Sequence, residues 1–306
     1  MKIVFISGVK FGYELLKHIV ENNWNVEAVF SYDESKRKFF SDMISFDSLT
    51  SKHGIKNIKV QNINDNENIE IIKEISPDLI FVMGWSQLLK TEILNIPKIG
   101  LVGSHPTELP KFRGRSPIPW SIIKNLKQSA LTFFWIEEGT DTGGILDQQQ
   151  FTISEKDDAT VVYDKIIHLG KEMILENLER INKGEIRKIK QDDSKFIESW
   201  PKRTPEDGKI NWNMSAKEIH TLIRATSHPY PGAFTFFKNK KLIIWKAIYE
   251  NEKFSNPGKI LSVNKNEVKI NTASGTVKLL SISYGEELEN NIEQIFSENS
   301  VGEVLG

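Results

Sequence analysis

The chain contains no cysteine, which excludes disulfides, thiolate nucleophiles and zinc–cysteine centres. Long apolar runs are missing too. Leu79–Val82 and Leu131–Ile136 fall far short of the roughly 20 residues that span a bilayer. The opening MKIVFISG has one charge and a short strand-like run, without the longer apolar region and small-residue cleavage site of a secretory leader. These absences lead us to expect a cytoplasmic protein with no membrane partner. Charge of one sign is also lacking. The formal net charge is -1, so no overall basic character points to nucleic acid. There is no Walker A sequence and no pair of histidines at metal-ligand spacing on one helix, so no metal is expected.

With 39% hydrophobic and 26% charged residues, the composition is that of an ordinary globular chain. Its 306 residues suffice for one large domain and one small one. Strand and helix signals alternate over the first two hundred residues. Lys2–Ser7, Val26–Tyr32, Ile58–Gln61, Leu79–Met83 and Ile99–Val102 read as strands. Between them Tyr13–Val20, Phe46–Lys52, Ile69–Ile75 and Leu88–Leu94 have helical spacing. This order predicts an α/β fold, with a Rossmann-like, mostly parallel sheet. Such sheets bind ligands beyond the carboxyl ends of their strands, where Gly84 and Gly103–His105 stand. Ile118–Asn125 and Ala159–Ile181 read as further helices, and Leu131–Glu137 and Ile145–Ile153 as further strands.

The texture changes near Trp200. Pro201–Gly208 reads as a linker. After it come one helix, Ser215–Ala225, and five short strands with turn signals about every ten residues. That pattern predicts a smaller C-terminal β-barrel-like (OB-like) domain. The expected domains are therefore 1–203 and 204–306.

Two stretches stand out. Gly103–Trp120 reads GSHPTELPKFRGRSPIPW, a long proline-rich loop directly after a predicted strand, and such loops in compact domains are usually functional. His105 is the histidine at a strand's carboxyl end, whereas His18 and His168 fall inside helix patterns and His53 near a helix end. The second stretch, Glu137–Gly144, reads EEGTDTGG and by itself is no more than a hairpin turn. Its reading changes if Asp141 meets His105. A carboxylate beside an imidazole fixes its tautomer and raises its pKa, and the pair can then handle protons and a developing oxyanion. The first loop, Gly8-Val9-Lys10-Phe11-Gly12, places Lys10 and Phe11 where a dinucleotide fingerprint wants small residues.

HPTELPKFRGRSP followed by EGTDTGG resembles the formyltransferase family that uses 10-formyltetrahydrofolate. RTPEDGKINW and RATSHPYPGAF extend the likeness into the second domain, toward the enzymes that formylate nucleotide-linked amino sugars. The resemblance implies a reaction. A neutral amine attacks the formyl carbon, His105 acts as proton donor and helps hold the oxyanion, and Asp141 orients His105 and raises its pKa. It also implies folate contacts at Gln87, Leu88, Leu89, Arg115 and the loop Glu137, Glu138, Gly139, Thr140 and Asp141. One position departs from the family. An asparagine normally stands two residues before the histidine and donates to the oxyanion; here that residue is Gly103, followed by Ser104. Three accounts are open: a backbone N–H of Gly103 or Ser104 substitutes, the Ser104 hydroxyl does, or a donor is missing. Because His105, Arg115 and Asp141 are all in place, a substitute donor and an active enzyme are expected.

The acceptor divides the family. A tRNA enzyme should grip a polyanion through a basic second domain. Pro205–Gly306 holds twelve lysines and arginines against twelve acids, and the tail Glu286–Gly306 has six glutamates and no basic residue. A nucleotide-linked amino sugar is therefore expected, of the UDP- or dTDP-4-amino-4,6-dideoxyhexose type. The alternatives are methionyl-tRNA formylation and a non-catalytic folate-binding homologue. Lys10, Tyr13, Arg224 and Tyr230 are candidates for holding the diphosphate and base, and the small β domain is a candidate homodimer interface.

Overall fold

The computed structural model describes residues 1–252, 256–285 and 291–306. The chain forms two compact units. The first comprises 1–117, 127–153 and 163–201; the second comprises 118–126, 154–162 and 202–306. Residues 118–126 and 154–162 thus depart from the expected 1–203 domain and pack with the later chain. Thr160 Oγ1 donates to the His228 carbonyl (2.6 Å), Arg224 Nη1 to that of Asp157 (2.7 Å), and the Arg203 guanidinium lies 5.0 Å from the Trp120 ring.

Along the first 201 residues the elements are β1 (Ile3–Ile6), α1 (Lys10–Glu21), β2 (Val26–Tyr32), α2 (Asp47–Lys52), β3 (Lys56–Val60), α3 (Asn66–Ile75), β4 (Leu79–Val82), α4 (Thr91–Leu94), β5 (Gly100–His105), β6 (Phe112–Gly114), α5 (Pro117–Ile123), β7 (Gln128–Trp135), β8 (Ile145–Thr152), α6 (Ala159–Asn182) and β9 (Glu198–Trp200). The main sheet has the order β3-β2-β1-β4-β5-β7-β8. The first five strands are parallel; β7 and β8 are antiparallel. The IVFI and LIFV runs of β1 and β4 are buried at every position, as expected for strands covered on both faces. Helix α1 buries Phe11, Leu15, Leu16 and Ile19, a 3.6-residue apolar stripe. The strand order reverses at β1, which lies between β2 and β4, and that puts the ligand crevice at their carboxyl ends.

Two local expectations change. Leu88–Leu94 is helical only over α4, because the chain before it is held extended. Asn64 bonds the Leu88 carbonyl and the Lys90 N–H, while the Gln87 side chain bonds Ile63 N–H and the Gln61 carbonyl. The expected linker Pro201–Gly208 ends in a capped 3₁₀ turn, Pro205–Gly208, with Thr204 and Asp207 bonding each other's backbone.

The second unit contains α7 (Ala216–Thr226), β10 (Ala233–Phe237), β11 (Lys240–Glu250), β12 (Ile260–Val263), β13 (Val268–Asn271), β14 (Thr276–Tyr284) and α8 (Ile292–Ile295). Its sheet is antiparallel, in the order β10-β11-β14-β13-β12. Ile219, Leu222 and Ile223 of α7 pack into the core of that sheet. The last residues run between its two edges. Val304 bridges to Lys259 beside β12, and the Gly306 N–H donates to Phe236 of β10 (3.1 Å). Of the acidic tail, Glu286, Glu287 and Glu289 lie outside the described residues. Among the described residues no helix is long and apolar enough to cross a membrane.

Candidate active site

His105 is the last residue of β5 and 5% exposed. Its Nε2 lies 3.1 Å from the Phe112 carbonyl. A carbonyl only accepts, so Nε2 carries the hydrogen in that bond. Nδ1 then faces Asp141, 3.7 Å from Oδ2. That oxygen also accepts the Gly114 N–H at 3.0 Å. The two stretches singled out in the sequence thus meet. Burial pushes His105 below its ordinary pKa of 6.5; the Asp141 charge and the Phe112 carbonyl pull it back up but do not win. The expectation of a raised histidine pKa is corrected in this respect: Asp141 acts with the expected sign, and desolvation outweighs it.

The loop after β5 is pinned from beneath. The Thr132 hydroxyl donates to the Thr107 carbonyl (2.6 Å), and Gln148 Nε2 donates to Thr132 Oγ1 (2.8 Å) and the Leu109 carbonyl (3.0 Å). β6 then pairs in parallel with β9, the Arg115 N–H donates to the Trp200 carbonyl (2.9 Å), and the Phe112 and Trp200 rings stack at 4.7 Å. The glycine of the RGR motif is required here. Gly114 has φ +104, and a Cβ on it would stand 2.3 Å from the Trp200 carbonyl oxygen.

Asp141 sits in the turn between β7 and β8 with φ +56, a left-handed conformation uncommon outside glycine. Glu137 of this turn pairs with Lys188, and Glu138 accepts from the Thr91 hydroxyl (3.4 Å). Gly139 and Thr140 lie exposed on the same turn.

Strand alternation places Gly103 and His105 on one face of β5 and Ser104 on the other. The Ser104 hydroxyl is therefore not brought to His105. The Ile136 N–H donates to the Leu101 carbonyl, so Gly103 and Phe134 form the next hydrogen-bonded pair, and the Gly103 N–H is engaged in the ladder. The space beside Gly103 is also taken: a Cβ there would lie 3.0 Å from Ile136 Cδ1 and Cγ1, and 3.3 Å from Phe134 Cζ.

Beyond β4, Leu88 is 72% exposed, Leu89 is half-buried on the core, and the Gln87 side chain is engaged with Gln61 and Ile63. Arg115 is exposed, and its charge acts on Tyr32. Lys10, the first residue of α1, pairs with Asp164 (3.6 Å), and Tyr13 packs edge-on against Phe46. Arg224 and the half-buried Tyr230 belong to the second unit, so the four proposed substrate contacts divide between the two units.

Sequence patterns missed three features. Tyr32 is stacked between Trp85 (3.8 Å) and Phe40 (4.5 Å) at the ends of β2 and β4, a place its strand-end position could have flagged. Trp200 closes the loop after β5. Gln191 is a buried polar side chain beneath the Asp141 turn that no motif marks.

Residues 1–178 match the model of the formyl transferase family, and residues 202–300 match that of the formyl transferase C-terminal domain. The chain belongs to the formyl transferase family. It is 34% identical over 288 residues to the bifunctional polymyxin resistance protein ArnA of Wigglesworthia glossinidia brevipalpis, covering 94% of this chain and 43% of that protein, so it spans under half of that relative. To the methionyl-tRNA formyltransferase of Caldanaerobacter subterraneus subsp. tengcongensis it is 33% identical over 287 residues, 92% of each. A solved N-formyltransferase from Helicobacter canadensis shares the fold, with TM-score 0.69 and 21% identity over 92% of this chain and 100% of that one. In this transferase the two motif stretches meet at the His105–Asp141 pair, with the ring nitrogen 3.7 Å from the carboxylate.

Proposed function

We propose that this formyltransferase moves a formyl group from 10-formyltetrahydrofolate to the amine of a nucleotide-linked amino sugar, of the UDP- or dTDP-4-amino-4,6-dideoxyhexose type. The observation that carries the choice of acceptor is the charge balance after Pro205, twelve basic residues against twelve acidic. In the second unit Lys238, Lys269 and Lys278 are also paired with Glu303, Glu250, Glu252 or Glu267. Such a surface has little to offer a polyanion. The Helicobacter canadensis neighbour was solved with folinic acid and dTDP-3-aminofucose, which supports a nucleotide-linked amino sugar as acceptor, there with the amine at C3.

The residues after β4 suit a flat co-substrate with a polar edge. Leu88 is exposed, and the buried Trp85 Nε1 of the same segment has no hydrogen-bond partner. As the amine nitrogen bonds to the formyl carbon and the bond to N10 breaks, one proton leaves the amine and one reaches N10. His105 carries that proton. Asp141 stabilises the imidazolium from the Nδ1 side, and the Nε2–H, now bonded to the Phe112 carbonyl, is the donor available to the oxyanion. Arg115 and the turn Glu137–Thr140 hold the folate.

Methionyl-tRNA formylation is the second reading, favoured by the sequence relatives that carry that name. One assay separates them. The protein is incubated with 10-formyltetrahydrofolate and, in parallel, UDP- and dTDP-linked amino sugars and charged initiator tRNA, and products are read by mass spectrometry. A sugar heavier by one formyl group is expected. Formylation of tRNA alone would overturn the sugar reading, and folate binding without any product would favour a non-catalytic homologue.

A further inference from the structure

We propose that Gln191 is a positioning residue of the His105–Asp141 pair, clamping the Asp141 turn in the one conformation that aims its carboxylate at the histidine. The Gln191 side chain is 5% exposed and bonds the Asp141 turn and Arg113. Nε2 donates to the carbonyls of Asp141 and Gly143, both at 2.8 Å. Oε1 accepts from Arg113 Nη2 at 2.9 Å. Arg113 is fixed in turn: the same Nη2 donates to Asp193 (2.6 Å), and its guanidinium stands 5.5 Å from the Phe196 ring centre.

The turn needs such a restraint. Asp141 holds φ +56, which a non-glycine residue leaves readily unless its surroundings forbid it. The nearest internal bond, from the Thr142 hydroxyl to the Glu138 carbonyl, is long at 3.3 Å. Gly143 by contrast lies fixed against β7: the neighbouring Gly144 carbonyl accepts the Trp135 N–H (2.8 Å), and a Cβ on Gly143 would meet the Trp135 carbonyl oxygen at 1.7 Å. Gln191 ties the backbone of Asp141 to that fixed point and to Arg113. The residue after Arg113 is Gly114, whose N–H binds the Asp141 carboxylate. Asp141 is therefore gripped twice from one short segment, by its carbonyl through Gln191 and by its carboxylate through Gly114. Loss of the first grip frees the residue to relax to negative φ, and the carboxylate then swings from Nδ1.

This inference rests on His105 and Asp141 forming the reacting pair, but its test does not depend on turnover. The His105 ring is titrated by NMR in the full chain, as wild type, Gln191→Met, Asp141→Asn and the double variant. The Asp141 carboxylate is the charge that raises His105, while burial lowers it and the Phe112 carbonyl contributes from β6. Gln191→Met should shift the midpoint down by roughly half a unit to one unit, and Asp141→Asn further. The double variant should titrate like Asp141→Asn alone, because the clamp acts only through that carboxylate. Turnover should fall about 10- to 100-fold in Gln191→Met, with KM for the folate nearly unchanged. If Gln191→Met does not fold, Arg113→Met carries the test; it leaves both Gln191 donors but releases their tether, and a smaller shift of the same sign is expected. A native-like Gln191→Met with a wild-type titration overturns the proposal, as does a double variant shifted beyond Asp141→Asn. A shifted titration in a protein that formylates no amine would overturn the proposed activity and leave the clamp standing.

Discussion

Replacing Gly103 with asparagine introduces a side chain where Ile136 already stands. Its first atom alone would lie 3.0 Å from two Ile136 carbons and 3.3 Å from Phe134, contacts several tenths of an ångström too close, with an amide still to place beyond it. Overpacking of this kind costs about 1–3 kcal/mol. Thermal unfolding of Gly103→Asn should therefore show a Tm lower by roughly 2–10 °C. Ile136→Ala opens the space and by itself should cost about 2 kcal/mol for a half-buried isoleucine. The two changes should offset each other, the double variant being more stable than the sum predicts by about 1 kcal/mol. Catalysis should respond in the opposite direction. The Gly103 amide is engaged in the sheet and the Ser104 hydroxyl lies on the far face, and in the proposed mechanism the imidazole meets the oxyanion. A second donor at an oxyanion is typically worth about 10²–10³ in kcat. Gly103→Asn with Ile136→Ala should regain a good part of it, read as steady-state kcat with the proposed sugar acceptor. A single variant with wild-type Tm would refute the packing argument, and a double variant with wild-type kcat would refute the oxyanion argument.

Gly114→Ala should lower stability by about 2–4 kcal/mol, since its Cβ meets the Trp200 carbonyl at 2.3 Å in a positive-φ conformation, and turnover should be lost as the N–H to Asp141 moves away. An unchanged Tm would mean β6 and β9 are not paired in solution. His220 is pushed down to about 4, first by burial and then by Arg224. Its folded pKa lies below its unfolded value, so stability is fully present above pH 6.5 and is lost as pH falls toward 4. The loss is about 1–2 kcal/mol once solvent screening of this partly exposed ring is allowed for. His220→Gln should flatten Tm over that range; an identical slope would remove His220 as the cause.

The sheet was legible because its strands are continuous apolar runs, and His105 because it ends one of them beside a proline-rich loop. Asp141 was legible only through its glycine and threonine context, since nothing local tells a functional turn from a plain hairpin. The β6–β9 pair was not legible. Each strand is three residues long, and the two lie far apart in sequence, below what periodicity can register. Leu88–Leu94 misled for another reason: its spacing is helical, but Asn64 and Gln87 supply side-chain partners that compete for the backbone. Gln191 carries no signal because an isolated glutamine has no period and no motif.

The shortness of β6 and β9 also bears on access. The segment that covers His105 is paired through three short register positions and one ring stack, with side-chain bonds from Thr132, Gln148 and Asp141 beneath it, whereas a seven-stranded sheet holds the histidine itself. Local opening free energies follow the number of contacts that must break, so this segment should open before the sheet does. A transient local unfolding of residues 106–115 would uncover the imidazole without disturbing the strand that carries it. The proposed proton carrier can therefore stand almost wholly enclosed and still be reached at a fraction of the free energy of global unfolding.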